Sequence, residues 1–157
     1  MTNPQFAHEL SPKSACPPPG LDPDPERPAT DRSRRTALVV DDEALIRWSV
    51  GETLAGLGLD VEQAVDGASA IAAITEAATA FDVVVLDLRL PDVNDLSLLR
   101  HIRTLLPATR VVLMTAFGTA EIVAAARGLG VIDVLNKPFA LEELGRLLAP
   151  AGGAPLA

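Results

Sequence analysis

Apolar and polar residues alternate from Thr36 onward in a pattern that predicts five strand–helix units. Short, nearly continuous apolar runs are typical of buried parallel strands, and apolar residues three or four positions apart are typical of helices with one buried face. The predicted strands are Thr36–Asp41, Asp60–Ala64, Phe81–Leu86, Arg110–Met114 and Val131–Leu135. A helix is predicted after each strand, with inward faces marked by Ile46 and Val50, Ile71 and Ile74, Leu99 and Ile102, Ile122 and Val123, and Leu141 and Leu144.

Regular alternation of strands and helices predicts an α/β fold with a doubly wound, five-stranded parallel sheet. Phe81–Leu86 is the most apolar strand and is expected at the centre, while the more polar Asp60–Ala64 suits an edge. The first helix is expected from about Ala44 to Leu57, and Asp66 is expected to cap the second. The two GLG segments at 56–58 and 128–130 are interpreted as helix C-caps, because neither follows a strand as a nucleotide-binding motif requires.

Proline content divides the chain into segments. Eight of the thirteen prolines lie in residues 1–35, and proline, which lacks a backbone N–H and has a fixed φ, can neither join a sheet nor continue a helix. We therefore expect residues 1–35 to form a disordered, proline-rich N-terminal tail. Residues 36–149 are expected to form the folded domain, and residues 150–157 a short C-terminal tail.

Composition limits the class of protein. The 157 residues are 48% hydrophobic with a mean hydropathy of +0.27, which is typical of one globular domain. No apolar run approaches the ~20 residues that a transmembrane helix needs, and the N-terminus lacks the apolar stretch of a secretory signal. Cys16 is the only cysteine, which excludes an internal disulfide and a CxxC zinc site. We expect a cytoplasmic protein with no membrane contact.

The net charge of −8 lies in the predicted domain. Residues 36–157 hold 8 basic and 16 acidic side chains, while residues 1–35 hold five of each. An acidic surface repels the phosphate backbone of nucleic acids. We therefore expect no direct DNA binding, and we interpret the basic cluster of Arg32, Arg34 and Arg35 as a solvated boundary.

Five polar side chains stand at or just past the ends of the predicted strands. They are Asp41, Asp42, Asp87, Thr115 and Lys137. Ligands of open parallel α/β sheets bind outside the carboxyl ends of the strands, so these side chains are expected to meet there. Three carboxylates in one place repel one another unless a cation neutralises them, and oxygen ligands suit a hard ion such as Mg²⁺. The pattern indicates a site that accepts a phosphoryl group.

Four segments, LVVDDE, VVVLDLRLPD, VVLMTA and LNKPF, carry a resemblance to a known family. Together, and in this order, they resemble the response-regulator receiver domain, the CheY-like phosphoacceptor module of two-component signalling, over residues 36–149. DDEALIRWSV and DLRLPD are most similar to the receivers of nitrogen-regulator-type activators. The resemblance implies a flavodoxin-like fold with five helices and the strand order 2-1-3-4-5.

The resemblance also implies a role for each site residue. Asp87 matches the phosphoacceptor, whose carboxylate attacks phosphorus. Thr115 matches the hydroxyl that hydrogen-bonds the transferred group, and Lys137 matches the lysine that pairs with a phosphoryl oxygen. Asp41 and Asp42 match the acidic pair that binds Mg²⁺, directly or through water.

The remaining ligands and the partners follow from the same resemblance. The backbone carbonyl of Arg89 is expected to complete the Mg²⁺ ligands together with Asp87. The donor is expected to be a phosphohistidine on a histidine kinase or a histidine phosphotransfer protein. The domain is then no enzyme, but a phosphoacceptor that assists its own phosphorylation and dephosphorylation. The Lys137–Pro138 bond resembles one that is cis in the family.

Two departures from the family pattern concern signalling rather than chemistry. Val134 stands where the family usually has Tyr or Phe, and Asp95, after Asn94, stands where Gly is common. Val134 keeps open the alternative of a pseudo-receiver, an interaction module that works without phosphorylation. A third class, the aspartyl-phosphate hydrolases, carries a DxD motif at its first strand, which neither 41–43 nor 87–89 matches.

The expected output is protein contact. Only twenty residues follow Lys137, too few for a helix-turn-helix or an ATPase module, so we expect a stand-alone receiver that acts on a downstream protein target. The fourth helix, fifth strand and fifth helix are the expected contact surface, and a phosphorylation-dependent homodimer is a further expectation. Trp48 is expected to pack against the domain, and His101 to lie on the surface.

Overall fold

Residues 34–149 are described by the structure, a computed structural model. The predictions for the two tails therefore lie outside the described residues, except at Arg34 and Arg35. Within residues 34–149, no helix is long and apolar enough to cross a bilayer.

Five strands and five helices alternate along the described chain. The strands are β1 (Thr36–Val40), β2 (Asp60–Ala64), β3 (Val83–Asp87), β4 (Arg110–Thr115) and β5 (Asp133–Asn136). The helices are α1 (Ala44–Gly56), α2 (Gly67–Glu76), α3 (Ser97–Leu105), α4 (Ala120–Gly128) and α5 (Leu141–Leu148).

The strands form one parallel sheet in the order β2-β1-β3-β4-β5. The predicted α/β fold and its strand order are confirmed. All residues of β3 are buried and β3 is the central strand, whereas β2 lies at an edge with most of its side chains exposed or half-buried. Because every strand runs in the same direction, all five carboxyl ends lie along one edge of the sheet.

Two hydrophobic clusters cover the two faces of the sheet. In β1, Leu38 and Val40 join the cluster beneath α2, α3 and α4, while Ala37 and Val39 join the cluster beneath α1 and α5. This alternation is the period-two pattern of a strand that is buried on both faces. The sheet edge that carries the strand ends is thus supported by packed helices on both sides.

Two predicted strands begin later in the structure than in the sequence pattern. β3 begins at Val83 rather than Phe81, and β5 begins at Asp133 rather than Val131. Phe81 and Val131 are buried and pack in the core, but they do so before the strand ladder begins. These apolar residues made the two predicted strands too long, because burial alone does not distinguish a strand from the segment that leads into it.

The helix ends confirm the predicted caps. Asp66 accepts a hydrogen bond from the Ser69 backbone N–H at 2.7 Å and forms a capping box at the start of α2. Gly58 and Gly130 adopt φ angles of 83° and 81° just past α1 and α4, where a side chain would be strained.

The prediction for Trp48 is wrong. Its side chain is 60% exposed, although α1 packs closely against the sheet. The inward face of α1 is made by Ile46, Val50 and Leu54, and a residue two positions after Ile46 points away from that face. His101 is exposed on α3, as predicted.

Candidate functional site

The predicted site residues meet at the carboxyl edge of the sheet. Asp87 and Thr115 are the last residues of β3 and β4, Asp41 and Asp42 follow β1, and Lys137 follows β5. The strands differ in sequence position but end side by side, which brings the five side chains to one rim. Thr115 and Asp41 are fully buried, and Asp87 is only 5% exposed.

Lys137 is the centre of the charge arrangement. Its ammonium donates hydrogen bonds to Asp41 Oδ2 at 2.8 Å and to Asp87 Oδ2 at 3.1 Å. Glu43 Oε1 lies 3.7 Å from the same nitrogen. The lysine side chain is 12% exposed, so these contacts form largely out of solvent. One ammonium therefore faces several carboxylates, and the site keeps a negative charge.

Backbone donors fix the second oxygen of each buried carboxylate. Asp41 Oδ1 accepts from the Glu43 N–H at 2.8 Å, and Asp87 Oδ1 accepts from the Arg89 N–H at 3.1 Å. Both oxygens of each group are thus engaged, and among residues 34–149 no buried side-chain nitrogen or oxygen lacks a partner. The carboxylates are held in place before any ligand arrives.

Burial and the neighbouring charges shift two pKa values. Burial raises the pKa of Asp87 above its usual 3.8, although the Arg89 N–H and Lys137 pull it down. Burial lowers the pKa of Lys137, but hydrogen bonds and charge from Asp41 and Asp87 outweigh it, so the pKa of Lys137 lies above 10.5. Burial thus opposes the ionisation of Asp87, whereas its neighbours favour the charged form of Lys137.

Three carboxylates form a cluster that fits a divalent cation. One oxygen from each of Asp41, Asp42 and Asp87 lies within 4.8 Å of the others. An ion such as Mg²⁺ binds carboxylates both directly and through its own waters, and it prefers oxygen ligands. Lys137 neutralises only part of the carboxylate charge, and the negative charge that remains favours the binding of a cation.

Thr115 is placed beside the carboxylates by its backbone. Its carbonyl accepts a hydrogen bond from the Lys137 N–H at 2.8 Å, which ties the end of β4 to the residue after β5. Its hydroxyl accepts from the Phe117 N–H at 3.1 Å. Among residues 34–149 this hydroxyl donates no hydrogen bond, so its proton can be donated to a ligand. The Lys137–Pro138 peptide is cis, as predicted.

Comparison with known families shows to which family the chain belongs. Residues 37–149 match the family described as Response regulator receiver domain. The chain belongs to this family. Receiver domains are regulatory phosphoacceptors of two-component systems that interact with histidine kinases and bind Mg²⁺ in an acidic pocket.

Curated relatives support the nitrogen-regulator-type resemblance. The receiver is 35% identical over 118 residues to the DNA-binding transcriptional regulator NtrC of Escherichia coli K12, a match that covers 75% of this chain and 25% of NtrC. It is 37% identical over 119 residues to the response regulator protein PilR of Pseudomonas aeruginosa, covering 76% of this chain and 26% of PilR. The chain spans about a quarter of the length of these relatives.

Solved receiver structures share the fold. The BeF3-activated DrrB receiver domain superposes with a TM-score of 0.64 at 34% identity, covering 72% of this chain and 92% of that one. A CheY-like receiver from Methanospirillum hungatei gives a TM-score of 0.66 at 26% identity, covering 71% and 88%. The predicted CheY-like fold is confirmed.

Three features of this receiver were not predicted. Glu43 contacts Lys137, although its place directly after Asp41 and Asp42 in the sequence was a signal for it. Asp92 accepts hydrogen bonds from the first two backbone N–H groups of α2, at 2.8 and 2.9 Å, and these bonds lower its pKa. Phe117 contacts Arg89 through its ring. The last two contacts join segments that are far apart in sequence, and no local sequence pattern predicts them.

Proposed function

We propose that this receiver accepts a phosphoryl group on Asp87, in a Mg²⁺-dependent reaction, from a phosphohistidine on a histidine kinase or a histidine phosphotransfer protein. The observation that carries the proposal is the position of the Lys137 ammonium between Asp41 and Asp87. An ammonium that already bonds Asp87 would be able to pair with a phosphoryl oxygen once Asp87 carries the group. The fully buried Thr115 hydroxyl, with its proton free, lies at the same rim.

The proposed transfer asks for positioning more than for covalent chemistry. An oxygen of Asp87 bonds to phosphorus while the nitrogen–phosphorus bond of the donor breaks and its electron pair returns to the imidazole. Lys137 exchanges its bond with Asp87 Oδ2 for one with a phosphoryl oxygen and keeps its bond with Asp41. The Thr115 hydroxyl donates a hydrogen bond to another phosphoryl oxygen.

Asp41, Asp42, Asp87 and the backbone carbonyl of Arg89 would hold the Mg²⁺. When bound, the ion neutralises charge on the phosphoryl oxygens during the transfer. The chain contributes the cluster of carboxylate oxygens within 4.8 Å of one another. The backbone of Arg89 is positioned by its own hydrogen bond to Asp87. Without a divalent cation, repulsion between the carboxylates and the incoming phosphoryl group should prevent the reaction.

Chemical mapping tests the assignment in the unmodified protein. With acetyl phosphate and Mg²⁺, intact-mass analysis should show one added phosphoryl group. Borohydride reduces an acyl phosphate to an alcohol, so peptide mapping should then find homoserine in place of Asp87. Labelling that survives EDTA, or homoserine at another aspartate, would contradict the proposal.

The geometry favours this function over the two alternatives. A pseudo-receiver needs no cation facing the acceptor, yet Lys137 is held against Asp87 in a largely buried site. An aspartyl-phosphate hydrolase of the DxD type needs two aspartates on one loop that share the nucleophile and acid roles. In this receiver the carboxylates come from the ends of two different strands, β1 and β3.

We further propose a cytoplasmic protein that signals by protein contact. The single cysteine fits a reducing compartment, and the acidic domain disfavours direct DNA binding. The surface formed by α4, β5 and α5 is the proposed contact area for a downstream protein target or for a second copy of the chain. Val134 lies half-buried in β5, next to Leu113 of β4, and packs against the cluster beneath α4.

Val134→Tyr should strengthen phosphorylation-dependent self-association. A valine is short and has few rotamers. It therefore responds less to a movement of Thr115 than an aromatic side chain that can turn inward, and the coupling of Thr115 to β5 is weaker. Sedimentation velocity with and without acetyl phosphate would measure the effect. The same substitution combined with Asp87→Asn is the control and should show no response. An unchanged sedimentation profile in Val134→Tyr would show that the aromatic position is irrelevant here.

A further inference from the structure

The guanidinium of Arg47 holds the peptide bond that joins Asp41 to Asp42. Its Nη1 donates to the carbonyl oxygen of Asp41 at 2.8 Å, and its Nε donates to the side-chain oxygen of Gln63 at 3.3 Å. Arg47 lies half-buried near the start of α1, and Gln63 lies in β2. One side chain thus connects the loop after β1 both to α1 and to the edge strand of the sheet.

Close packing against α1 holds the side chain of Gln63. Gly51 is buried inside α1, although glycine is an unfavourable residue in a helix interior. A Cβ atom at Gly51 would lie 3.1 Å from Gln63 Nε2, so a side chain there would crowd the amide. The glycine leaves room for this amide, whose oxygen accepts the hydrogen bond from Arg47. Gln63 therefore gives the guanidinium a second, well-packed anchor.

Asp42 depends on the held peptide bond more than Asp41 does. The Asp41 carboxylate is bonded to the Lys137 ammonium. Asp42 is exposed, and its carboxylate takes part in none of the ion pairs found among residues 34–149. Because a peptide group is planar, a hydrogen bond at the Asp41 oxygen also orients the N–Cα bond of Asp42. Arg47 thus holds the backbone from which the Asp42 carboxylate projects.

We propose that Arg47 is a positioning residue for the divalent cation, which keeps the Asp42 carboxylate within reach of the ion by holding the peptide bond before it. This role rests on the Mg²⁺ site proposed above, to which Asp42 contributes one of the three clustered oxygens. Groups that orient the ligands of a metal without touching it commonly change the affinity by about tenfold or more. The charge of Arg47 acts in the opposite direction, because a guanidinium near the site repels a cation. The hydrogen bond and the charge therefore predict opposite effects when Arg47 is replaced.

Calorimetric titration of the unphosphorylated protein with Mg²⁺ measures this role. Arg47→Met removes both donors but keeps an aliphatic stem, and we expect it to bind Mg²⁺ about tenfold more weakly. Arg47→Lys keeps one donor on a stem of similar length, so it should bind Mg²⁺ more tightly than Arg47→Met. Gln63→Met leaves the bond to Asp41 but releases the other end of the guanidinium. Its affinity should fall between those of Arg47→Met and the unmodified protein.

Arg110→Met is the matched control for a general loss of packing. Arg110 is half-buried at the start of β4, at the amino end of the sheet, and its Nη2 donates to the Leu147 carbonyl at 2.7 Å. The variant therefore loses a bond of the same kind, far from the proposed cation site. It should lower the melting temperature in EDTA without changing the dissociation constant for Mg²⁺. Melting of Arg47→Met in EDTA shows its loss of stability separately from its loss of affinity.

The titrations can overturn the proposal in several ways. Unchanged Mg²⁺ binding in Arg47→Met, or an equal loss of affinity in Arg110→Met, would overturn it. Tighter binding in Arg47→Met would do the same, since the guanidinium would then act through its charge alone. So would an Arg47→Lys variant that binds no better than Arg47→Met.

The same experiment distinguishes this role from the proposed function. If the unmodified protein binds no Mg²⁺, the proposed Mg²⁺-dependent function is overturned and the role of Arg47 with it. If acetyl phosphate labels the unmodified protein only with Mg²⁺, but the affinity for Mg²⁺ does not depend on Arg47, the positioning role alone is overturned.

Discussion

Replacing Asp87 with Asn is expected to abolish labelling by acetyl phosphate and, at the same time, to raise the melting temperature at neutral pH. The loss of labelling follows because the amide is no nucleophile for phosphorus. The gain in stability follows because the buried, ionised carboxylate is costly to the fold, as its raised pKa indicates. Lys137 keeps a partner in the variant, since its bond to Asp41 remains.

The pH dependence of that gain has a defined sign. The folded-state pKa of Asp87 lies above the usual 3.8. Asp87 therefore stabilises the fold fully below pH 3.8, and this stabilisation is lost as the pH rises through the folded-state pKa. The advantage of Asp87→Asn should therefore be largest at neutral pH and should shrink toward pH 3.8. Thermal unfolding of both proteins across this range, without divalent cations, measures it. Residual labelling of Asp87→Asn, or a lower melting temperature at pH 7, would contradict the assignment.

Lys137→Met is expected to lower the free energy of unfolding by roughly 3 kcal/mol at pH 7, because it leaves two buried carboxylates without their cation. The folded-state pKa of Lys137 lies above 10.5, so its stabilisation is fully present below pH 10.5 and disappears only above the folded value. Urea denaturation at pH 7 gives the difference. Mg²⁺ should recover part of the loss, since a cation bound by the carboxylates replaces the missing charge.

A matched control separates this effect from the loss of any surface ion pair. Arg127 pairs with Asp133 at 3.2 Å, but its side chain is 64% exposed. Arg127→Met should cost less than about 1 kcal/mol, the usual range for exposed pairs. It should also be insensitive to Mg²⁺. If Lys137→Met were as mild as this control, the lysine would not be holding the carboxylate cluster together.

The sequence was enough to bring the five side chains to one edge of the sheet, because their positions depend on strand ends. Asp87 and Thr115 each close an apolar run, and a parallel sheet brings such ends to one edge whatever their separation along the chain. The helix caps at Asp66, Gly58 and Gly130 were likewise indicated by local patterns, whereas the order of the strands was implied by the family resemblance. The site placement and the caps depend on periodicity, capping chemistry and chain direction, all of which are visible in a single sequence.

The missed features depend on contacts between loops and on rotation about a helix axis. Arg89 meets Phe117, and Asp92 meets the start of α2, only after the sheet has brought their loops together. Trp48 was misplaced although Ile46 and Val50 marked the inward face of α1, because a residue two positions after Ile46 points away from that face. β5 was predicted to begin too early because Val131 is a buried core residue, although it precedes the hydrogen-bonded strand.

The exposed indole on α1 gives this protein a simple optical property. The chain has a single tryptophan and no tyrosine, so its near-ultraviolet emission comes almost wholly from Trp48. With 60% of that side chain in contact with solvent, the emission should lie at long wavelength and be readily quenched by iodide or acrylamide. A protein that binds over the outer face of α1 would shift the emission to shorter wavelength and protect it from quenching. Intrinsic fluorescence can thus report occupancy of that helix without any introduced dye.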